Sequence, residues 1–375
     1  MIRRILALLI ALSVALNCGL FKRSNPDCSF SGREKIMRRD GNFTAAALDY
    51  LEIIAEKYSD RGDLNVNSDR KACRKWIIKE LIKAGYEKSQ IAEQKIKTVG
   101  IVTGRNIVVS VDGKSSKQVI VGAHYDGDGI GDNGSGLALL LATAVGLAGK
   151  EMPYSVKYVF FDNEEIGLFG ADAYAKSMSE TEIQNTLFMI NMDSLAFGDY
   201  CNIYGGVTDF ETGKVSGTAA YQMAMKRAEK LGFHTWNTSK LDGYYAKNGH
   251  GPALDPVGLF TNPWTAKNPA PQNSTAYSPA QLANVSDHQA FVDKGIEYIY
   301  FEATNWYAMG KKPNSDSYTG YFETTDTSVG KNGMFMNTKY DTFENLNTLY
   351  PGRIVEHFNI YSILLSSLII NPIEK

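Results

Sequence analysis

Apolar residues recur at helical spacing in the first part of the chain. The segments NFTAAALDYLEIIAEKYSDRG (residues 42–62) and DRKACRKWIIKELIKAGYEKSQI (residues 69–91) predict two helices, which end near Gly62 and Gly85. The pattern then changes to the short apolar runs of strands, in GRNIVVSVDG and KQVIVGAHYD. The turn residues DGKSS between these runs predict that the two strands form a hairpin.

Strand and helix patterns alternate after this point. The segment GSGLALLLATAVGLAGK predicts a buried helix, and GADAYAKSM predicts a second one. The continuous apolar runs in SVKYVFFDNEE and LFMINMDS are typical of strands that are buried on both faces. This alternation predicts an α/β fold whose largely parallel sheet is covered by helices on both sides. In such sheets the ligand site lies beyond the carboxyl ends of the strands.

The rest of the chain predicts one domain with a long insertion. Residues 236–285 are rich in Pro, Asn, Gly and aromatic residues, and we interpret them as a loop-rich insertion over the ligand edge of the sheet. Further helix and strand patterns follow, as far as the closing helix GRIVEHFNIYSILLSSLII. We therefore expect a single domain over residues 41–375.

The N-terminus resembles a bacterial lipoprotein signal. The basic residues MIRR precede the apolar run Ile5–Leu16, which is too short to cross a membrane comfortably. Because Cys18 stands where a lipobox places its cysteine, we expect residues 1–17 to be a signal peptide, Cys18 to be lipidated and residues 18–40 to be a tether. This predicts an exported cell-envelope lipoprotein held at a membrane by its lipid anchor. There are two alternatives. One is a secreted protein with an ordinary signal peptide, and the other is a protein whose N-terminal segment is an uncleaved membrane anchor.

Charge and cysteine content narrow the function further. The formal net charge of −2 gives no excess of positive charge, so we expect no nucleic-acid partner. The four cysteines include no C-x-x-C pair, which argues against a zinc site made of thiolates.

Acidic residues and one histidine gather where predicted strands end. They fall into four groups: His124 with Asp126, Asp132, the pair Glu164 and Glu165, and Asp193. Each group alone could consist of ordinary turn or helix-cap residues, because Asp and Gly are common at such positions. Adjacent side chains on an extended segment point in opposite directions, so one glutamate could bind a metal while the other faces a substrate. Together the groups predict a metal-dependent hydrolytic site.

The same motifs carry a family resemblance. GAHYD…GDNGSG, FFDNEEIGLFGA, NMDS and SDHQAF, in this order, resemble the co-catalytic zinc aminopeptidases of metallopeptidase family 28. Relatives in that family include bacterial leucyl aminopeptidases, glutamate carboxypeptidase and glutaminyl cyclases. The resemblance covers roughly residues 45–365. It implies a three-layer helix–sheet–helix fold with a mixed, mostly parallel central sheet, and zinc as the cofactor at two sites.

The resemblance also implies roles for the residues of the first metal site. His124 would bind the first metal, with Asp126 as the catalytic carboxylate that partners this histidine. Asp132 would bridge both metals and would precede an unusual cis peptide bond to Asn133. Asp193 would complete the first site.

Glu164 would be the general base, Glu165 would bind the second metal, and His288 would lie near the substrate.

The second site departs from the family pattern. Relatives have a histidine ligand where this chain has Asn337, in the segment MNTKYD. An amide oxygen is a much weaker zinc ligand than imidazole, so the second site is expected to bind its metal more weakly.

These patterns predict an exported zinc metallopeptidase that removes N-terminal residues from peptides. The loss of the histidine at position 337 motivates an alternative, a non-catalytic or single-metal surface protein that keeps the peptidase fold. Glutaminyl cyclase activity is a less favoured alternative, because cyclases rely on the zinc that would use the missing histidine, whereas this chain best preserves the opposite site.

Overall fold

The structure is a computed structural model of the 375-residue chain. It describes the following residues: 41–62, 69–98, 100–198, 201–208, 215–237, 258–261, 286–303, 328–331 and 333–372. The expected signal peptide (1–17), the tether (18–40) with Cys18, and most of the expected insertion (236–285) lie outside these residues.

The helices of the described part are mostly amphipathic or buried segments. They are α1 Thr44–Lys57, α2 Asp69–Lys83, α3 Gly134–Gly146, α4 Phe169–Ser177, α5 Glu180–Asn185, α6 Ala219–Lys230, α7 Gln289–Val292, α8 Phe343–Leu349 and α9 Arg353–Ile370. Helices α1 and α2 confirm the two helices that apolar spacing predicts. Helix α1, for example, buries Ala47, Leu51 and Ile54, which share one face because they lie four and three residues apart.

The strands form one large sheet and one small one. They are β1 Ile91–Thr98, β2 Ile101–Val111, β3 Ser115–His124, β4 Tyr154–Phe161, β5 Thr186–Met192, β6 Cys201–Tyr204, β7 Val207–Thr208, β8 Val215–Ser216, β9 His234–Asn237, β10 Gly258–Thr261 and β11 Tyr298–Glu302. Strands β7 and β8 pair with each other, and the other nine form a sheet in the order β1-β2-β4-β3-β5-β11-β6-β10-β9.

The central sheet is mixed and mostly parallel, as expected. Strands β4, β3, β5 and β11 are successive parallel neighbours, and so are β6, β10 and β9. Antiparallel pairs join β1 to β2, β2 to β4, and β11 to β6. The expected hairpin of β2 and β3 is wrong, because β4 lies between them. Residues 118–124 of β3 are buried without interruption, which suits a central parallel position better than a hairpin.

Helices cover both faces of this sheet. Val119 and Val121 of β3 belong to the larger core cluster, which also holds apolar residues of α1, α2, α3 and α9. Ile120 belongs to a second cluster with residues of α4 and α7. Because successive side chains of a strand point to opposite faces, the two clusters lie on opposite sides of β3. The structure thus confirms the three-layer helix–sheet–helix fold.

Helix α9, Arg353–Ile370, is the one helix of the described residues that is long and apolar enough to cross a membrane. Most of it is buried within the molecule, where it packs beside α1 and α6. This is the position of a core helix.

Candidate metal centre

The sequence-predicted site residues follow three neighbouring parallel strands. His124 is the last residue of β3, Glu164 and Glu165 follow the end of β4, and Asp193 follows the end of β5. Because β4, β3 and β5 are adjacent and parallel, their carboxyl ends meet at one edge of the sheet. The order of strands therefore brings together side chains that are up to 69 residues apart in sequence.

His124 lies at the centre of this group. Its Nε2 atom is 3.2 Å from Asp132 Oδ1, 3.4 Å from Asp193 Oδ1 and 3.9 Å from Glu164 Oε2. The residue is only 1% exposed, and neither ring nitrogen has a hydrogen-bond partner among the described residues. A buried polar atom without a partner is costly in free energy, so this geometry favours a ligand at the ring.

The ligand atoms form two groups that share His124. One consists of His124, Asp132 and Glu165, the other of His124, Glu164 and Asp193, and within each group the atoms lie within 4.8 Å of one another. The resemblance instead pairs Asp193 with Asp132 and His124 around one metal. Imidazole nitrogen and carboxylate oxygens are zinc ligands, so these residues fit a zinc ion. Which carboxylate binds which metal stays a prediction.

The raised pKa values of the carboxyl groups in this cluster also favour a bound cation. Burial, followed by the charge of Asp193, raises the pKa of Asp132 to about 7. The charge of Asp132 raises the pKa of Glu165 to about 9, although Glu165 lies at the exposed side of the cluster. Burial also raises the pKa of Glu164 well above its ordinary value. Carboxylates this close cannot all ionise without compensation, and a divalent cation would provide it.

The pKa values of His124 and Asp193 are shifted in opposite directions. Burial works to lower the pKa of His124, but the charges of Glu164 and Asp193 outweigh it and raise that pKa well above 6.5. Burial works to raise the pKa of Asp193, but His124 and the hydroxyls of Ser286 and Ser194 lower it overall. Both hydroxyls donate hydrogen bonds to this carboxylate, at 2.7 Å from Ser286 and 3.1 Å from Ser194. Asp193 is thus held as an anion facing the imidazole.

Asp126 has a second connection that the sequence did not indicate. Its carboxylate accepts hydrogen bonds from the backbone N–H groups of Glu164, at 3.2 Å, and Glu165, at 3.3 Å. Its Oδ1 atom lies 3.6 Å from His124 Nδ1, which is long for a hydrogen bond. Asp126 therefore fixes the backbone that carries the two glutamates, besides facing the ring of His124.

The position of Asp132 depends on the start of helix α3. The peptide bond between Asp132 and Asn133 is cis, as the resemblance implies. Asn133 caps α3 by accepting a hydrogen bond from the Gly136 N–H, and its side-chain amide donates to the carbonyl of Met192. The same side chain thus ties the Asp132 loop to the end of β5.

Asp287 is a buried acidic residue that sequence reasoning missed. It is fully buried, and neither carboxyl oxygen has a hydrogen-bond partner among the described residues. Burial raises the pKa of Asp287 well above its ordinary value, and the charges of Asp126 and Asp193 add to this. The sequence signal for Asp287 is the SDH motif, residues 286–288, in which the family resemblance assigns a role only to His288.

His288 is enclosed by aromatic rings. Its ring centroid lies 4.4 Å from that of Tyr298 and 4.6 Å from that of Tyr300, and the residue has no exposed surface. Its Nδ1 atom lies 3.3 Å from the side-chain amide of Asn191 on β5. These contacts give His288 a packing role, and its predicted place near the substrate stays a prediction.

Asn337 is exposed and has a left-handed backbone conformation, with φ of 55°. Asn and His both adopt this conformation more readily than most residues. Asp341, four residues later, is buried and accepts hydrogen bonds from the N–H groups of Gly131 and Asp132, at 2.6 and 3.2 Å. The segment MNTKYD, in which this chain departs from the family pattern, therefore packs on the loop that carries Asp132. Metal binding by Asn337 stays a prediction.

The fold and the site define a class of protein: an α/β protein with a histidine–carboxylate cluster, able to hold a metal ion, at the carboxyl edge of its sheet. Residues 106–268 match the model of "Peptidase family M28". This match covers less than half of the chain, and it agrees with the family that the motifs resemble.

Individual proteins show how far the similarity extends. The chain is 27% identical over 271 residues to "Alkaline phosphatase isozyme conversion protein" of Escherichia coli, covering 68% of this chain and 66% of that protein. It is 30% identical over 182 residues to "Probable lipoprotein aminopeptidase LpqL" of Mycobacterium tuberculosis, covering 45% of this chain and 34% of that protein. The chain thus spans less than two thirds of the length of either relative.

A solved structure shares the fold over nearly the whole chain. The glutaminyl cyclase of an Acidobacteriales bacterium matches 93% of this chain and 99% of its own, with a TM-score of 0.57 and 16% sequence identity. This similarity supports the three-layer fold described above.

Proposed function

We propose that this protein is a zinc-dependent aminopeptidase that hydrolyses the first peptide bond of peptide substrates. The observation that carries the proposal is the buried imidazole of His124, which has no hydrogen-bond partner in the described part of the chain and faces Asp132, Asp193 and Glu164 within 3.9 Å. The relative named as an aminopeptidase supports the choice of substrate class.

Zinc bound by these residues would polarise the scissile carbonyl and make water acidic enough to act as a nucleophile near neutral pH. In this proposal His124, Asp132 and Asp193 hold one metal, and Glu165, with Asp132 and Asn337, forms a weaker second site. The neutralising cation also explains how so many carboxylates can stand together at neutral pH.

Glu164 would transfer the protons of the reaction. Its side chain is 11% exposed, so it can reach a substrate while remaining shielded from bulk water. Its raised pKa suits a group that accepts a proton from the attacking water and then gives it to the leaving amine. Asp126 would hold the glutamate in position through the backbone N–H of Glu164.

The catalytic proposal can be tested with purified protein and a panel of chromogenic aminoacyl amides. We expect release of an N-terminal amino acid that stops with a chelator and returns with zinc, and elemental analysis showing at least about one zinc per chain. Zinc without hydrolysis of any amide would favour the non-catalytic alternative. Cyclisation of an N-terminal glutaminyl peptide by the same sample would favour a cyclase.

We also propose that the protein is exported and lipid-anchored through Cys18. The N-terminal signal pattern supports this, together with the relative that is named a lipoprotein. The test is membrane fractionation and fatty-acid labelling of the wild-type chain and Cys18→Ser, with Cys28→Ser as the matched control. Label retained by Cys18→Ser would remove the anchor from the proposal and leave export open.

A further inference from the structure

The loop that carries Asp132 is held from outside the metal centre. Residues 125–132 connect His124 at the end of β3 to Asp132 and contain three glycines, at 127, 129 and 131. Such a backbone is intrinsically flexible, so its shape must come from the groups that contact it. Buried carbonyl and N–H groups in a loop also need partners that no strand or helix supplies.

Arg61 supplies several of these partners on one side of the loop. Its guanidinium donates hydrogen bonds to the carbonyl of Tyr125, at 3.1 Å, and to the carbonyl of Gly129, at 2.7 Å. A third hydrogen bond, at 2.7 Å, goes to the carbonyl of Tyr58, which holds the guanidinium relative to its own segment. The next residue adds to the contact, because the Gly62 N–H donates to the side chain of Asp128 at 2.6 Å.

Asp341 holds the other side, through the N–H groups of Gly131 and Asp132 described above. Arg61 is itself fully buried. A buried guanidinium is costly unless its donors are satisfied, and the hydrogen bonds of this one to the described residues go to main-chain carbonyls. Removing it would leave two carbonyls of the loop without that donor.

We propose that Arg61 is a positioning residue for the metal centre: through the carbonyls of Tyr125 and Gly129 it holds the glycine-rich loop so that Asp132 stays within ligand distance of His124. The inference rests on the zinc site of the proposed function. The hydrogen bonds of Arg61 to the loop go to main-chain carbonyls, so its effect on metal binding passes through the backbone. Lysine cannot replace it fully, because an ammonium group lacks the planar fork that reaches separate carbonyls.

The chain offers a matched control in Arg227. This arginine is also buried and also donates to carbonyl oxygens, those of Ser367 and Asn371 near the end of α9, each at 2.9 Å. These hydrogen bonds hold a helix end, whereas those of Arg61 hold the ligand loop. Arg61→Met and Arg227→Met therefore remove the same kind of buried interaction at two places.

The experiment compares wild type, Arg61→Met, Arg61→Lys and Arg227→Met in three measurements. Chelator competition gives zinc affinity, hydrogen exchange of peptides covering residues 125–132 gives loop protection, and thermal unfolding gives stability. We expect Arg61→Met to weaken zinc binding about 10–100-fold and to speed exchange in this loop, with Arg61→Lys in between. Arg227→Met should lose stability while keeping wild-type zinc affinity and loop exchange.

The results of this experiment distinguish a failure of the Arg61 inference from a failure of the proposed function. Unchanged zinc affinity and loop exchange in Arg61→Met, at a stability loss like that of Arg227→Met, would show a purely structural arginine. If Arg61→Met does not fold, the same two measurements on Arg61→Lys decide. A wild-type protein that binds zinc but hydrolyses no peptide would overturn the aminopeptidase proposal and leave the role of Arg61 intact. Failure of the wild type to bind zinc would overturn both.

Discussion

The backbone N–H of Glu164 donates a hydrogen bond to the carboxylate of Asp126, at 3.2 Å. Through this bond a residue at the end of β3 sets the position of the proposed general base after β4. Asp126→Ala removes the acceptor for both glutamate N–H groups, whereas Asp126→Asn keeps one side-chain oxygen. We expect kcat/KM for an aminoacyl amide to fall about 10–100-fold in the alanine variant, and less in the asparagine variant.

The control for Asp126 is Asp172→Ala, since this exposed carboxylate pairs only with Lys176 on the surface of α4 among the described residues. Wild-type kcat/KM in Asp126→Ala would show that the two glutamates hold their positions without it.

Glu164→Gln should abolish most activity and keep the metal. Loss of the group that transfers the proton is expected to lower kcat about 10²–10⁴-fold, because glutamine cannot accept and return a proton. Elemental analysis separates two roles for this residue, because Glu164 also belongs to one of the two groups of ligand atoms. Retained zinc identifies a general base, and lost zinc identifies a ligand. Glu151→Gln, at an exposed carboxylate, is the matched control.

Asn337→His should strengthen the second metal site. Imidazole binds zinc more tightly than an amide, and histidine tolerates the left-handed backbone at this position. We expect zinc content after exhaustive dialysis to rise from about one to about two ions per chain. Lys339→His, two residues away on the same exposed turn, controls for an added imidazole. Equal zinc content in the wild type and Asn337→His would contradict a role for position 337.

Zinc removal should lower the thermal stability of the protein. A ligand that binds only the folded state stabilises it by about 2.7 kcal/mol at a free concentration 100 times its dissociation constant. We expect the unfolding temperature of chelator-treated protein to rise on adding zinc, and this rise to shrink in Asp193→Asn. Differential scanning calorimetry measures both. An unfolding temperature that does not respond to zinc would argue against the metal centre.

His357 should make stability depend on pH away from the site. Its Nδ1 atom donates to the carbonyl of Leu195 at 2.6 Å, and burial, helped by the charge of Arg353, lowers its pKa to about 3. Between the ordinary value of about 6.5 and this value, the unfolded chain binds a proton that the folded chain does not. The contribution of the neutral ring is therefore present above about pH 6.5 and is lost progressively as pH falls towards 3.

His357→Asn tests this, because an amide can donate to the same carbonyl but does not titrate. The free energy of unfolding of both proteins, measured by denaturant titration at pH 7, 6 and 5, should show their difference narrowing as pH falls. A difference that stays constant over this range would mean that His357 does not remain neutral in the folded protein.

Sequence reasoning could group the candidate ligands because the signals of most of them are local. His124, Glu164 and Asp193 lie at or just after the ends of apolar runs, and neighbouring parallel strands bring such ends together at one edge of the sheet. The hairpin of β2 and β3 failed for the opposite reason: a plausible turn does not reveal that β4, more than thirty residues later, lies between the two strands. The enclosure of His288 by Tyr298 and Tyr300 was equally invisible, since it depends on packing of β11 beside α7.

The residues that hold the site in place were also beyond the sequence. Arg61 and Asp341 act on backbone groups of residues 125–132 across 64 to 210 positions of the chain. Hydrogen bonds to main-chain atoms leave no pattern of residue types at the receiving end, so no motif marks them. Asp287 lies in a motif, but the absence of a hydrogen-bond partner for its carboxyl group among the described residues depends on the tertiary packing around it.

The sequence by itself determined the alternation of strands and helices, the burial of the central strands and the set of acidic and imidazole groups at their ends. These follow from side-chain periodicity and from residue type, which are properties of short segments. Only the tertiary structure decided the order of the strands, the distances around His124 and the contacts that fix the ligand loop. Those depend on which distant segments fill each other's space and satisfy each other's backbone groups, and a single chain segment contains no information about its partner.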